Sequence, residues 1–446
     1  MAQVILLEQN EVLKELITIN LTNFLGVDVI NRNNANAVLS LLEILPEVDL
    51  IICQYEVSGE NTAAIIQKYI ATNHLEVGLI VLGGPATIDN EFTATILNPK
   101  DWEKVVEYSA KILGITPDLL AKQIVPEYVP IPVTYFLNLE TVNCDVFIRI
   151  KKSPTEFQFV KRIHNGDNFT KEIINRYKTQ GLDFFYISKE NRQTFTTYLS
   201  NILVQKLESV SEISPRLELM GESYAIAAKE ILNLGFTNEV VQLTDAIIHH
   251  MIDNIKQFPE MNQLLYKLIN AHTPLVFQRC HMTSIIACEC LKKLKLDTEE
   301  NILAVTFASF FHDITLVDYI DLSKINTVEE IAQIKLTPDE NILVQTHASA
   351  SAKIIEGYPN IHSDVKRLIT EHHGVQDGVG FSNKIETFST LSKVFIIAHD
   401  VVWEILRYKE DKTMPRSIPE TMLQRFPTPT CVKIIKALEQ SLIKRK

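Results

Sequence analysis

Glycine is scarce in this chain, 14 of 446 residues, about half the average share. A sequence so poor in the residue that permits positive φ is expected to be mostly regular structure, and its apolar spacing makes that structure strongly helical. No apolar run approaches the roughly 18 residues of a membrane-crossing helix. The start Met1-Ala2-Gln3-Val4-Ile5-Leu6-Leu7 has no basic region and meets Glu8 at once, so the chain is expected to be neither secreted nor membrane-spanning, and cytoplasmic. Lysine and arginine form no block and the net charge is −12, which argues against non-specific nucleic-acid binding and an anionic membrane surface. An anionic ligand would therefore need a local cationic pocket. The six cysteines (Cys53, Cys144, Cys280, Cys288, Cys290, Cys431) show no metal-finger spacing, and reduced thiols are expected. At 446 residues the chain exceeds what one core supports, which implies two or three domains.

What is present divides accordingly. Over residues 1–123, short apolar runs at Val4 to Leu7, Val27 to Ile30, Leu50 to Cys53 and Leu79 to Leu82 alternate with helical spacing near 10–24, 35–45, 60–73 and 101–113, the pattern of a doubly wound α/β domain. Its length and first strand resemble a response-regulator receiver domain. The places where that resemblance implies acids, a phosphoacceptor Asp, a hydroxyl and a Lys read Glu8-Gln9, Gln54, Gly83 and Asn98. The expectation is a degenerate receiver unable to take a phosphoryl group, serving docking or dimerisation, with an unrelated α/β domain as the alternative.

The segment Ile124-Val125-Pro126-Glu127-Tyr128-Val129-Pro130-Ile131-Pro132-Val133 cannot continue a helix and opens a new unit as a linker or an edge segment. Residues 124–200 then carry strand-like runs at Val146 to Ile150, Phe157 to Val160 and Phe184 to Ile187 around a helical stretch at 169–180, a small α+β domain. Arg149, Lys151, Lys152, Lys161 and Arg162 with Phe147, Phe157 and Phe159 read as the solvated face of a two-layer sheet rather than a nucleotide-binding face. Residues 201–446 read as an all-α domain; its first helices either cap the bundle or form a homodimer interface.

In this third part lies Glu371-His372-His373-Gly374-Val375-Gln376-Asp377-Gly378-Val379-Gly380-Phe381, where adjacent histidines enter the densest glycine cluster of the chain. Neighbouring imidazoles point in different directions, so such a pair serves two metals, or one metal and its substrate. The glycines suit a loop whose backbone N–H groups approach an anion. Upstream, His312-Asp313 closes the apolar run Ile302 to Phe311, a costly position for two polar groups unless a metal compensates the charge. His281, His347 and Asp400 interrupt other helical apolar stretches, so five helices of one bundle can bring these residues together. His74, His164, His249, His250, His272 and His362 lie in polar or loop-like surroundings and read as solvated, while His399 stands beside Asp400 with no assigned role.

This order of His, His-Asp, His, His-His with a glycine-rich loop, then Asp resembles the HD-GYP family of HD-domain phosphohydrolases over roughly residues 270–446. The resemblance implies hydrolysis of cyclic di-GMP, metal ligands His281, His312, Asp313, His347, His372, His373 and Asp400, and a catalytic role for His312 and Asp313. It implies two divalent metals bridged by Asp313; imidazole and carboxylate ligands suit Fe or Mn. Gly378, Gly380 and Phe381 would line the substrate loop, and Arg407, Lys409 and Lys412 would meet its phosphates. Departures are evident. The family's Gly-Tyr-Pro is Gly380-Phe381-Ser382, its lysine after His-Asp is Leu316, its third-metal glutamate is Phe277, and the glutamate after His-His is Gly374. These leave open a cyclic di-GMP receptor or interaction module, with structural metals, that meets protein partners through the N-terminal domain and the Gly-Phe-Ser loop.

Overall fold

The computed structural model describes residues 2–45, 48–85, 92–98, 101–115, 128–151, 157–258, 260–410 and 417–442. The chain forms two compact units, Met1–Leu199 and Ser200–Lys446.

The first unit opens with strands β1 (Gln3–Leu7), β2 (Asp28–Arg32), β3 (Leu50–Gln54), β4 (Gly78–Leu82) and β5 (Thr93–Ile96), all parallel in the order β2-β1-β3-β4-β5. Helices α1 (Glu11–Asn20, prolonged by a π turn Leu21–Leu25), α2 (Ala35–Ile44), α3 (Thr62–Thr72) and α4 (Trp102–Ile112) connect and cover them. Alternation along the strands builds two cores. Val4, Leu6, Ile52, Ile80 and Leu82 pack with Leu13, Ile17 and Val105 on one face. Ile5, Leu7, Ile51, Leu79 and Val81 pack with Val38, Leu42 and Ile66 on the other. Both faces are buried, as a parallel sheet requires. Asn10, Asn34 and Asn61 each cap a helix by accepting from the backbone N–H three residues on, which satisfies otherwise orphaned donors.

A second sheet, in the order β6-β9-β7-β8, is antiparallel: β6 (Tyr128–Pro132), β7 (Val146–Lys151), β8 (Phe157–Ile163) and β9 (Phe184–Ser188), with α5 (Lys171–Thr179) beside it and α6 (Arg192–Ser209) following. The proline-rich stretch forms edge strand β6, where a missing N–H costs no ladder bond. Two of the basic residues of the sheet are paired within the unit: Arg149 with Glu15 at 2.6 Å and Lys161 with Asp145. Lys152 lies outside the described residues.

The second unit is helical: α7 (Ile213–Leu234), α8 (Asn238–Gln257), α9 (Met261–Asn270), α10 (Leu275–Leu294), α11 (Glu299–Phe311), α12 (Val328–Gln333), α13 (Pro338–Ile355), α14 (Ser363–Glu371), α15 (Thr390–Glu410), α16 (Ile418–Arg425) and α17 (Pro429–Leu442). Helix α10 runs through the middle and buries residues on every side, Val276, Arg279, His281, Ile286 and Cys290 among them. A helix enclosed all round can hold polar groups only where its neighbours supply partners. All six cysteines are buried and unpaired. Among the described residues, no helix is long and apolar enough to cross a membrane.

Candidate metal centre

Two helix ends and two positions within helices build the site. His312 is the C-cap of α11, its N–H still bonded to Ala308 O, and Asp313 follows at φ −110, ψ 17. His347 comes from the middle of α13, His372 caps the C-terminus of α14 with His373 next, and His399 lies within α15. Gly374 at φ +73 turns the chain away at once.

Hydrogen bonds fix three of the rings. Nδ1 of His312 meets Ser309 O at 2.8 Å, Nδ1 of His347 meets Val344 O at 2.6 Å, and Nδ1 of His372 meets Ile369 O at 2.7 Å. A carbonyl only accepts, so each Nδ1 carries the proton and each Nε2 presents a lone pair. These lone pairs converge. His347 Nε2 is 3.2 Å from His372 Nε2, and Asp313 Oδ1 is 3.4 Å and 3.7 Å from the two. His373 Nε2 adds itself 2.9 Å from His347 Nε2.

Acceptors facing acceptors in a buried site repel unless a cation lies between them. Burial pushes His347 down to about 4 and holds His312 and His373 well below the ordinary imidazole range, so none of these three rings supplies that cation near neutrality. Burial alone would raise Asp313, but the Arg279 guanidinium, helped by His312, holds its carboxyl well below the usual range. Neutral imidazoles and one ionised carboxylate are the form in which these side chains bind metal. The group Asp313, His347, His372 and His373 thus fits one divalent ion. A second group joins His312, Asp313 and His399; there Arg279 Nη2 stands 3.1 Å from Asp313 Oδ2 and donates to His399 Nε2 at 3.1 Å.

Two residues expected among the ligands stand elsewhere. His281 is fully buried but outside both groups, its Nδ1 near Ser284 Oγ at 3.3 Å and its ring beside Phe277, with burial pushing it down to about 3. Two positions along a helix turn a side chain away by more than half a circle, so Arg279 faces the cluster and His281 does not. Asp400 faces the adjacent cleft, but Arg425 holds its Oδ2 at 2.8 Å and Asn326 its Oδ1 at 3.0 Å. His399, one residue earlier, points inward instead.

The cleft, of about 120 Å3, is lined by His372, His373, Phe381, Ser382, Asp400 and Asn326, with others. The Phe381 ring lies 4.3 Å from that of His373 and packs toward Leu316, Leu322 and Val344, so an apolar wall stands where the resemblance placed a lysine. The glycine loop differs from expectation. Its amides are spent internally, Gly380 N–H on Gln345 O, Ser382 N–H on His373 O and Gly374 N–H on Glu371 O, each at 2.8 Å. Gly378, at φ +73, packs against the Ser349 backbone. Arg407 lies over the Trp403 ring and reaches toward Glu330, and Lys409 donates to Ile269 O; neither is among the residues lining the cleft. Lys412 lies outside the described residues. Arg425, which holds the cleft residue Asp400, is a cation that sequence reasoning passed over.

A helical bundle carrying a buried histidine and aspartate cluster defines a metal-binding domain. Residues 263–404 match the model of the HD domain family. That match supports the HD-GYP assignment drawn from the motif order. A similar solved structure is Bd1817, an HDG"Y"P protein from Bdellovibrio bacteriovorus, with 16% identity over 71% of this chain and 99% of that one and a TM-score of 0.45. No curated protein matches the chain.

Proposed function

We propose that the chain is a metal-dependent phosphohydrolase of the HD-GYP kind that hydrolyses cyclic di-GMP. The observation that carries this reading is the convergence of His347 Nε2, His372 Nε2, His373 Nε2 and Asp313 Oδ1 in a group two of whose members line the cleft. A divalent ion there supplies Lewis acidity and an activated water at neutral pH. The protein does the rest. Carbonyl bonds hold the Nε2 atoms of His312, His347 and His372 inward, Asp313 holds its charge between the two groups, and Phe381 closes one wall against bulk water. The cleft, of about 120 Å3, is smaller than the roughly 300–1,000 Å3 of ordinary small-molecule pockets, so it would admit the phosphodiester with the bases on the rim.

The second reading is a receptor that binds cyclic di-GMP without turnover. It is favoured by Leu316 in an apolar cluster and by the internally bonded amides of the glycine loop. Residues 1–123 would be a phosphorylation-incompetent, receiver-like docking module and 124–200 a separate small domain. The strand order 2-1-3-4-5 is the one such modules share, and Gln54 Nε2 donates to Glu8 Oε1 at 2.6 Å where two acids would otherwise stand. Cytoplasmic location, protein partners and a homodimer belong to the same proposal.

The test is turnover of cyclic di-GMP by anaerobically purified protein loaded separately with Fe(II) and Mn(II), with metal content measured on the same samples. Turnover that follows the metal and vanishes in His347→Ala is expected. Metal binding with cyclic di-GMP binding and no turnover selects the receptor; turnover by metal-free protein overturns the metal reading.

A further inference from the structure

Asp313 turns its two carboxylate oxygens to different sides of the cluster. Oδ1 faces His347 and His372 in the group that fits a metal, while Oδ2 faces His312 at 3.4 Å and Arg279 at 3.1 Å. Arg279 is 3% exposed, so its charge is enclosed with the cluster. The same nitrogen donates to His399 Nε2, the atom that would have to turn its lone pair to a metal in the second group.

We propose that the centre takes one divalent ion, in the group formed by Asp313, His347, His372 and His373, and that the Arg279 guanidinium permanently occupies the second cation position between Asp313 and His399. The inference rests on the metal reading above and changes its stoichiometry. Two of the three atoms that would bind a second ion, Asp313 Oδ2 and His399 Nε2, already face a positive nitrogen. A dication entering there would lose those two partners and meet a fixed like charge at close range in a buried site, where screening is weak. The guanidinium also does what a metal at that place would do for Asp313: it keeps the carboxylate ionised and aims the other oxygen at the first group. Arg279 is thus a positioning residue, and the resemblance to a two-metal family fails at this one position.

The experiment is metal stoichiometry, which needs no turnover. Apoprotein is titrated with Mn(II), bound metal is counted per chain, and the spectrum of the bound ion is recorded by electron paramagnetic resonance. The wild type is expected to bind one Mn(II) with the spectrum of an isolated ion. Arg279→His, which removes the guanidinium and supplies an imidazole, is expected to bind a second ion, with exchange coupling between the two. Two ions in the wild type overturn the inference and leave the hydrolase reading standing. No ion in the wild type overturns both. A folded Arg279→His that still binds one ion removes Arg279 from the role assigned to it. If that variant does not fold, the wild-type count and spectrum decide the matter alone.

Discussion

His281 and His347 are buried almost equally, at 0% and 2% exposure, and differ in what faces them. His347 meets two other imidazoles and a carboxylate, whereas His281 meets Phe277 and Ser284. His347→Ala is therefore expected to lose bound metal outright. His281→Ala should cost roughly 2–4 kcal/mol of stability from the cavity and keep the metal, which metal analysis beside a denaturant titration of the same samples would check. Loss of metal in a folded His281→Ala would return that residue to the ligand set. The motif order pointed to helices that meet at this cluster, while the structure places His281 and Asp400 outside both groups. On α10 every face is buried, so apolar spacing gives no signal to choose Arg279 over His281, and an arginine does not look like part of a metal site. On α15, Asp400 is held by Arg425, some 25 positions on, a partner that sequence spacing does not reveal. His312-Asp313 and His372-His373 were legible because a helix end leaves a polar pair little freedom.

The loop after α14 is an element that the site depends on. Gly374 has φ +73, and a Cβ there would sit 2.0 Å from Ser382 O. Ser382 in turn donates to His373 O, so the clash is transmitted to a residue of the cluster. Gly380 has φ +84, but an added Cβ would meet only Gln345 Oε1 at 3.5 Å. Gly380→Ala should cost only the left-handed strain, about 1–2 kcal/mol. Gly374→Ala should cost more than this and weaken Mn(II) binding at least tenfold, since a displacement of about an ångström spoils a preformed site. Equal metal affinities in the two variants would show that the loop does not position His373. At this scale the strands of the parallel sheet were readable from Val4 to Leu7, Leu50 to Cys53 and Leu79 to Leu82, because strands buried on both faces are apolar runs. β5, Thr-Ala-Thr-Ile, was not read as a strand: four residues with two threonines carry little apolar signal. The reading of residues 124–133 held open a linker or an edge segment, and the described part is the edge strand.

At the scale of the whole chain, each unit carries one of its 2 tryptophans, Trp102 in the first and Trp403 in the second, so Trp102→Phe and Trp403→Phe variants let fluorescence follow the units separately. Their stabilities should answer to different variables. A metal held only by the folded second unit stabilises it by about 3 kcal/mol when free metal is a hundredfold above its dissociation constant. Chelation should then lower the Trp403 transition by roughly 5–10 °C and leave that of Trp102 in place. The first unit should answer to pH through Glu8, whose side chain is fully buried at the end of β1 and accepts at Oε1 from Asn10 N–H and Gln54. Burial raises Glu8 from 4.5 to about 7. A folded state that holds its proton more tightly than the unfolded chain is favoured most below pH 4.5, and the advantage is lost as pH rises through 7. The loss amounts to roughly 3 kcal/mol at about 1.4 kcal/mol per unit. Glu8→Gln keeps the shape and removes the titration, so its Trp102 transition should lack the part of the pH dependence between 4.5 and 7 that the parent shows. If parent and variant have parallel profiles across that window, Glu8 is ionised in the fold, and the buried Glu8–Gln54 pair is a charged hydrogen bond rather than a neutral one.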